Sequence, residues 1–479
     1  MPDIDHFSTA REMAAAVRAG HISARELLDL HLARIDEVNG DVNALVNLDP
    51  DRARDQAAEA DARQARGDEI GPLHGLPFAF KDTHQLAGWP TTYGSPLMVG
   101  NVPDTDELIV ERVRAAGVVV IGRSNVPEFA AGSHTFNPVF GTTRCPFDLQ
   151  RSAGGSSGGA AAALASGMVP LAEGSDMGGS LRNPASFNNV VGLRPGLGRV
   201  PEWPHQNAWE TTSVEGPMAR NVGDLALLLS VIAGPDPRVP LALETPGSVF
   251  AEPLGGSLAG LRVAVSVDLG GAFEVDHRVR AVVEAQREVF TAGGAEVDDD
   301  HPDLRGAEET FRTLRAWHLH AKLGRLLAEN PGGMKQSLAD NIRAGEPLTG
   351  ADVARAYAQR TQLGERMRQF FETYDVLVLP VSQVPPFPAD QEYPADINGR
   401  VQSTYLDWMR SAYFITVTGC PAMSLPAGFT PEGLPVGIQV VAPHSGERRL
   451  LEIAHAFERA TGVGERRPGI LRGDGQETG

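Results

Sequence analysis

Two kinds of segment alternate along the 479-residue chain: short, nearly continuous apolar runs, and longer stretches whose apolar positions recur every three or four residues. The runs Leu76–Phe80, Val118–Ile121, Leu261–Val267, Val376–Val381 and Val436–Val441 are short and rich in β-branched or aromatic residues, and predict strands. Segments 106–115, 222–233 and 276–292 carry the helical period between them. Strands that alternate with helices predict an α/β protein, here with a large mixed, mostly parallel sheet covered by helices on both faces. The run GVVVIG at 117–122 has no polar face, which suits a strand buried on both sides.

The N-terminal region predicts helices with defined starts. Thr9-Ala-Arg-Glu12 and Ser23-Ala-Arg-Glu26 both fit the capping box, in which a hydroxyl and a carboxylate satisfy orphan backbone amides. After the second box, Ile22 and Leu27 fit the staple positions, Leu28, Leu32 and Ile35 follow at helical spacing, and Gly40 offers an end. The Ala-rich stretch 51–66 reads as a solvated helix with no function of its own. Residues 305–374 read as consecutive helices, and the Pro-rich segment 383–401 as loop. The chain is expected to form one domain over 1–465, with 305–400 as a helical and loop subdomain and 466–479 as a flexible tail.

Charge narrows the function. The chain has 42 Lys and Arg against 61 Asp and Glu, a net charge of −19. Nucleic-acid binders need a basic face to displace phosphate counterions, and anionic membranes repel such a chain, so neither is an expected partner. A neutral or cationic small molecule fits better. The two cysteines, Cys145 and Cys420, stand in no metal or redox spacing. The opening MPDIDHFSTAREM has no basic stretch leading into an apolar one, and no apolar run reaches the roughly 18 residues needed to span a bilayer. These features predict a cytoplasmic protein; a monomer or homodimer is expected, and no metal or organic cofactor is implied.

The chemistry concentrates in 151–201. GGSSGG at 154–159 runs into an Ala-rich helix, so its backbone amides can face an anion or a hydroxyl. GSDMGGS at 174–180 sets a serine directly after two glycines, which let consecutive N–H groups converge on one point as an oxyanion hole requires. Lys81 ends the apolar run LPFAFK, where a lysine can project into a site. Each feature alone has a bland reading: a loop before a helix, a tight turn, a solvated strand end. A P-loop is excluded because no Gly-Lys-Ser/Thr follows, and the G-x-S-x-G match at 154–158 lacks a buried strand before it.

Together these residues resemble the amidase signature family. The match takes in Lys81, Gly154–Gly159, Ala160–Ala163, Gly174–Ser180, Arg182, Pro184 and Ala185. It extends to GPLHGLPFAFKD at 71–82 and to TGCPAMSLPAGFTPEGLPVGIQVVAP at 418–443. The resemblance implies Ser180 as nucleophile, Lys81 as base, and Ser156 as proton relay, with a cis peptide bond joining Ser156 to Ser157. It implies oxyanion donors among the amides of Met177, Gly178, Gly179 and Ser180. Ser157, Ser175, Asp176 and Arg182 are then expected to support the loops rather than take part in the chemistry.

The implied activity is hydrolysis of small linear amides, aryl amides among them, through an acyl-Ser180 intermediate. Carbamate or ester hydrolysis by the same triad is the nearest alternative. A glutamine-hydrolysing subunit of a tRNA amidotransferase and a non-catalytic binding protein follow. A Ser-His-Asp mechanism is the chemical rival, with His74, His84, His134 and His205 as its candidates; none has an acid paired with it locally, and all four read as surface or pocket-lining residues. The segment SFNNVVGLRPGLGRVP at 186–201 departs from the family's usual Gly-x-Lys-Pro-Thr continuation, and Arg144-Cys145-Pro146-Phe147 departs from its Asn-Pro-aromatic pattern. Trp203 and Trp209 at 200–220 read equally as anchors of their loop or as a lid or pocket wall, and Cys420 as a residue packed near the site without reacting; these three are the candidate pocket residues.

Overall fold

The computed structural model describes residues 4–471. Both capping boxes form. The hydroxyl of Thr9 accepts from the Glu12 amide and that of Ser23 from the Glu26 amide, and each glutamate reaches back to its cap. The second helix, Ala24–Val42, runs through Gly40; it ends where Asn43 turns left-handed (φ 54°). The stretch 51–66 lies in the helix Pro50–Arg66, capped by Asp49 with Pro50 at its first position, where a missing N–H costs nothing.

Each apolar run named above forms a strand, offset by up to three residues at its ends. These are Pro77–Lys81, Val119–Ser124, Arg262–Val265, Val376–Pro380 and Pro435–Val441. An eight-stranded mixed sheet forms the centre. Its order is Glu296–Asp298, Arg262–Val265, Val376–Pro380, Pro435–Val441, Ala422–Phe429, Val191–Arg194, Val214–Ala219, Leu171–Asp176. Parallel pairing is confined to the two ladders around Arg262–Val265; the other five are antiparallel. The sheet is therefore mixed, as expected, but not mostly parallel. A short loop at 430–434 turns Ala422–Phe429 directly into its antiparallel neighbour, and an antiparallel pair needs no crossover helix.

The strand that ends in Lys81 belongs to a separate three-stranded sheet, paired parallel with Val119–Ser124. All five of its residues are buried. The buried helix Gly158–Ala165 is built almost wholly of glycine and alanine, so it lies flush against its neighbours. Residues 307–370 form three helices, Ala307–Glu329, Gln336–Arg343 and Gly350–Phe370, and the first two share a small core through Leu319, Leu323, Leu338 and Ile342. Segment 383–401 is largely irregular, with a two-residue hairpin at 396–401. Of the expected tail, Gly469–Leu471 forms a short 3-10 turn; 472–479 lie outside the described residues. No helix among the described residues is long and apolar enough to cross a membrane.

Candidate active site

The loop that carries Ser156 and Ser157 and the end of the strand Leu171–Asp176 meet at Lys81. The lysine is fully buried, and its Nζ lies 2.9 Å from Ser156 Oγ, 2.9 Å from Ser157 Oγ and 3.0 Å from Ser175 Oγ. Its own backbone is held on both sides. The Lys81 N–H donates to Glu173 Oε1 at 2.6 Å, and its carbonyl accepts from Arg123 Nη2 at 2.8 Å. Burial pushes the Lys81 amine down to about 8, against the upward pull of Glu173, Asp176 and Glu215. No carboxylate is bonded to Nζ, so its partners are hydroxyls that accept from an ammonium and donate to an amine equally well.

Ser156 sits in the loop before the helix Gly158–Ala165, and Ser180 in the turn between Leu171–Asp176 and the helix Arg182–Phe187. The two loops are tied where the Ser157 N–H donates to the Ser180 carbonyl at 3.1 Å. Ser156 and Ser180 both line one cavity of about 730 Å³. The Ser180 hydroxyl makes no hydrogen bond among the described residues, which leaves it free to face a substrate. The cis peptide bond joins Gly155 to Ser156, not Ser156 to Ser157 as expected.

The turn 176–182 hangs on one buried carboxylate. Asp176 accepts from the amides of Gly179 (2.9 Å) and Leu181 (3.1 Å) and is clamped by the Arg182 guanidinium, with Nη2 2.8 Å from Oδ1 and Nε 3.0 Å from Oδ2. Burial alone would raise the Asp176 carboxyl, but the adjacent Arg182 and Arg194 hold it well below the usual carboxylate range. Arg182 is itself anchored to the Ala412 carbonyl, Thr416 and Gln439. Gly179 has φ 108°, and a Cβ there would meet the Ala412 side chain at 2.6 Å. Only glycine fits.

These contacts bear on two expectations. The Gly179 amide donates to Asp176, whereas the amides of Met177, Gly178 and Ser180, the other expected oxyanion donors, donate to no acceptor among the described residues. Ser157 and Ser175 touch the lysine amine directly instead of merely bracing the loops. Asp176 and Arg182 do brace the turn.

The candidate pocket residues separate. Trp203 lines the cavity, with the Arg238 guanidinium 4.3 Å from its ring centre. Trp209 is 66% exposed and does not line it. Cys420 is also off the cavity. It lies buried between the helix Arg410–Thr418 and the strand Ala422–Phe429, where burial pushes its thiol up to about 12. Cys145 is buried and donates to the Phe187 carbonyl.

Among the histidines, His74 bonds the Ala60 carbonyl, and His134 is held between Ser152 and the Ala389 carbonyl. Neither lines the cavity; His84 and His205 do. His84 Nδ1 lies 2.8 Å from the buried Glu173 carboxylate, and its Nε2 lies 3.7 Å from Glu215. Burial pushes the imidazole down, but Glu173 outweighs it and the net direction is up. His84, Glu107 and Glu215 each bring one ligand atom within 4.8 Å of the others. Sequence reasoning missed Glu107, Glu173 and Glu215, since no local motif joins residues so far apart in the chain.

The family model Amidase matches residues 26–451. An acylamidase of Rhodococcus erythropolis is 36% identical over 466 residues, covering 97% of each chain. The A subunit of the glutamyl-tRNA(Gln) amidotransferase of Synechococcus sp. (strain CC9605) is 35% identical, covering 94% of this chain and 96% of that protein. Among solved structures, a bacterial aryl acylamidase of the amidase signature enzymes superposes with a TM-score of 0.89 at 28% identity, over 97% of this chain and 99% of that one. The chain belongs to the Amidase family, the amidase signature enzymes, and is an amide-hydrolysing enzyme.

Proposed function

We propose that the enzyme hydrolyses small linear amides to a carboxylic acid and an amine through an acyl-Ser180 intermediate, with Lys81 as base and Ser156 as relay. One observation carries this reading: a fully buried lysine whose amine meets three serine hydroxyls and no carboxylate, two of those serines, Ser156 and Ser175, lining the same cavity as an unbonded Ser180 hydroxyl. A serine hydroxyl is weakly nucleophilic until a neighbouring base takes its proton. A lysine held near 8 by burial supplies a neutral amine at mildly alkaline pH.

In the proposed sequence, Ser180 attacks the amide carbonyl as its proton passes through Ser156 Oγ to Lys81 Nζ. The developing oxyanion takes hydrogen bonds from the free amides of Met177, Gly178 and Ser180, each worth about 3 kcal/mol of barrier by analogy with other oxyanion holes. The lysinium then returns a proton through Ser156 to the departing nitrogen, which leaves well only when protonated. Water hydrolyses the ester by the same route. The return of a proton favours amides, although the acylation half of the cycle serves carbamates and esters as well. The likeness to acylamidases supports acyl amides, aryl amides included, as the first substrates to try.

The test is a panel of matched anilides, aliphatic amides, carbamates and esters, run with the wild type and Ser180→Ala. Amide turnover with a Ser180-linked acyl mass in the wild type, and neither in the variant, is the expected result. Turnover that survives Ser180→Ala overturns the nucleophile assignment.

A further inference from the structure

Glu107 and Glu215 stand in the cavity wall without a counter-charge of their own. Glu215 is 6% exposed, its Oε2 has no hydrogen-bond partner, and its Oε1 is 3.7 Å from His84 Nε2. Glu107 is the residue before the helix Leu108–Ala115, yet its side chain makes no capping bond and no ion pair among the described residues; it lines the cavity instead. The other acids of the cavity are better matched. Glu202 pairs with His205 at 3.4 Å, and Glu210 accepts from the Thr212 amide at 2.8 Å.

The charges do not balance. Glu107, Glu173 and Glu215 surround one imidazole, His84, and Lys81 is required by the reaction to be neutral. Arg315 and Lys322 line the same cavity, but neither comes within ion-pair distance of Glu107 or Glu215; Arg315 is held by Met177 and Tyr405. Buried carboxylates without cations are costly, and like charges nearby add to the cost. In agreement, burial together with Glu202, Glu107 and Glu173 pushes the Glu215 carboxyl well above its ordinary value. The position is also close to the chemistry. Glu215 stands directly across the strand ladder from Ser175, whose hydroxyl touches Lys81.

We infer that Glu107 and Glu215 form a subsite for a cationic amino group of the substrate, so that the amides preferred by this enzyme carry a primary ammonium. The inference rests on the amidase reading for the word amide only. An ammonium nitrogen donates to both carboxylates and supplies the cation that the cluster lacks. His84 keeps its 2.8 Å approach to Glu173 through Nδ1 and faces Glu215 through Nε2 at 3.7 Å.

The experiment is calorimetric titration of the wild-type protein with n-butyl- to n-octylammonium and with the matching n-alcohols. Ammonium ions are expected to bind about tenfold or more tightly than alcohols of equal length, and Glu215→Gln and Glu107→Gln each to erase most of that ratio. Glu107 is only half-buried, so its variant carries the test if Glu215→Gln fails to fold. Equal binding of amines and alcohols, or a ratio unchanged in both variants, overturns the inference. So does saturable binding of Mn²⁺ or Zn²⁺ that both variants abolish while the ammonium ions do nothing, which would make the cluster a metal centre. The readout is equilibrium binding and needs no turnover. Ammonium selectivity without amide hydrolysis would overturn the function proposed above, and Ser180-dependent hydrolysis without ammonium selectivity would overturn this subsite alone.

Discussion

Asp176 and Arg182 face each other with no access to solvent, the guanidinium bridging both carboxylate oxygens at 2.8 and 3.0 Å. Around this pair the chain makes the turn that presents Ser180 and its neighbouring amides. Breaking a buried pair by removing one partner leaves an uncompensated charge, at a typical cost of about 3–5 kcal/mol. Asp176→Asn is expected to lower stability by about that amount and to cost turnover as well, because Gly179 and Leu181 lose a charged acceptor. Urea unfolding gives the first quantity through its midpoint, and wild-type-like stability would show that the pair does not hold the turn.

In the proposed mechanism the acid side of the pH profile reports Lys81. Only the neutral amine can take the Ser180 proton, so kcat/KM should be low when Lys81 is protonated and should rise with pH to a plateau above about 8. Glu173 is the carboxylate that most strongly pulls the lysine upward. Glu173→Gln keeps an acceptor for the Lys81 N–H and removes the charge, so the rising limb should move to lower pH by about one unit. A limb that stays in place, or moves to higher pH, contradicts Lys81 as the titrating base.

The three hydroxyls on Lys81 are not equivalent in this mechanism. Ser156 carries protons between Lys81 and Ser180, so Ser156→Ala should cost about 10²–10⁴ in kcat, the usual range for acid–base relays. Ser157 and Ser175 only hold the amine, at 2.9 and 3.0 Å. Ser157→Ala and Ser175→Ala should each cost about tenfold, the worth of one hydrogen bond to a charged or polarised group. Steady-state kinetics on one anilide separates the cases. Equal losses at all three positions would show that Ser156 is no relay.

How much of this was legible beforehand follows from range along the chain. The run Pro77–Lys81 is apolar at every position before its lysine, so both the strand and the exceptional residue stand out in the sequence. Ser180 is legible from the two glycines before it. Strand direction was not legible, because a short apolar run looks the same in a parallel or an antiparallel ladder. The donation of the Gly179 amide to Asp176 depends on a turn geometry that a GGS tripeptide does not specify. The His84, Glu173 and Glu215 cluster joins three separate segments, and each residue alone looks like an ordinary exposed polar side chain. Its identity emerges only when all three prove to be buried.

The two tryptophans of the connection between the strands Val191–Arg194 and Val214–Ala219 offer a last contrast. Trp203 lines the cavity under the Arg238 guanidinium, and its carbonyl accepts from the Leu108 amide at 2.8 Å, next to Glu107. Trp209 points to solvent and is 66% exposed. Removing the Trp203 ring takes away one apolar wall, so Trp203→Ala should raise KM for bulky or aromatic amides about 5- to 30-fold, about 1–2 kcal/mol of binding, with kcat changing less. Trp209→Ala should leave both constants and the unfolding midpoint within about 0.5 kcal/mol of wild type. The comparison is internal to one loop and uses the same substitution twice. A KM effect of equal size at Trp209 would mean that the ring turns inward when substrate binds, and that the loop closes over the cavity.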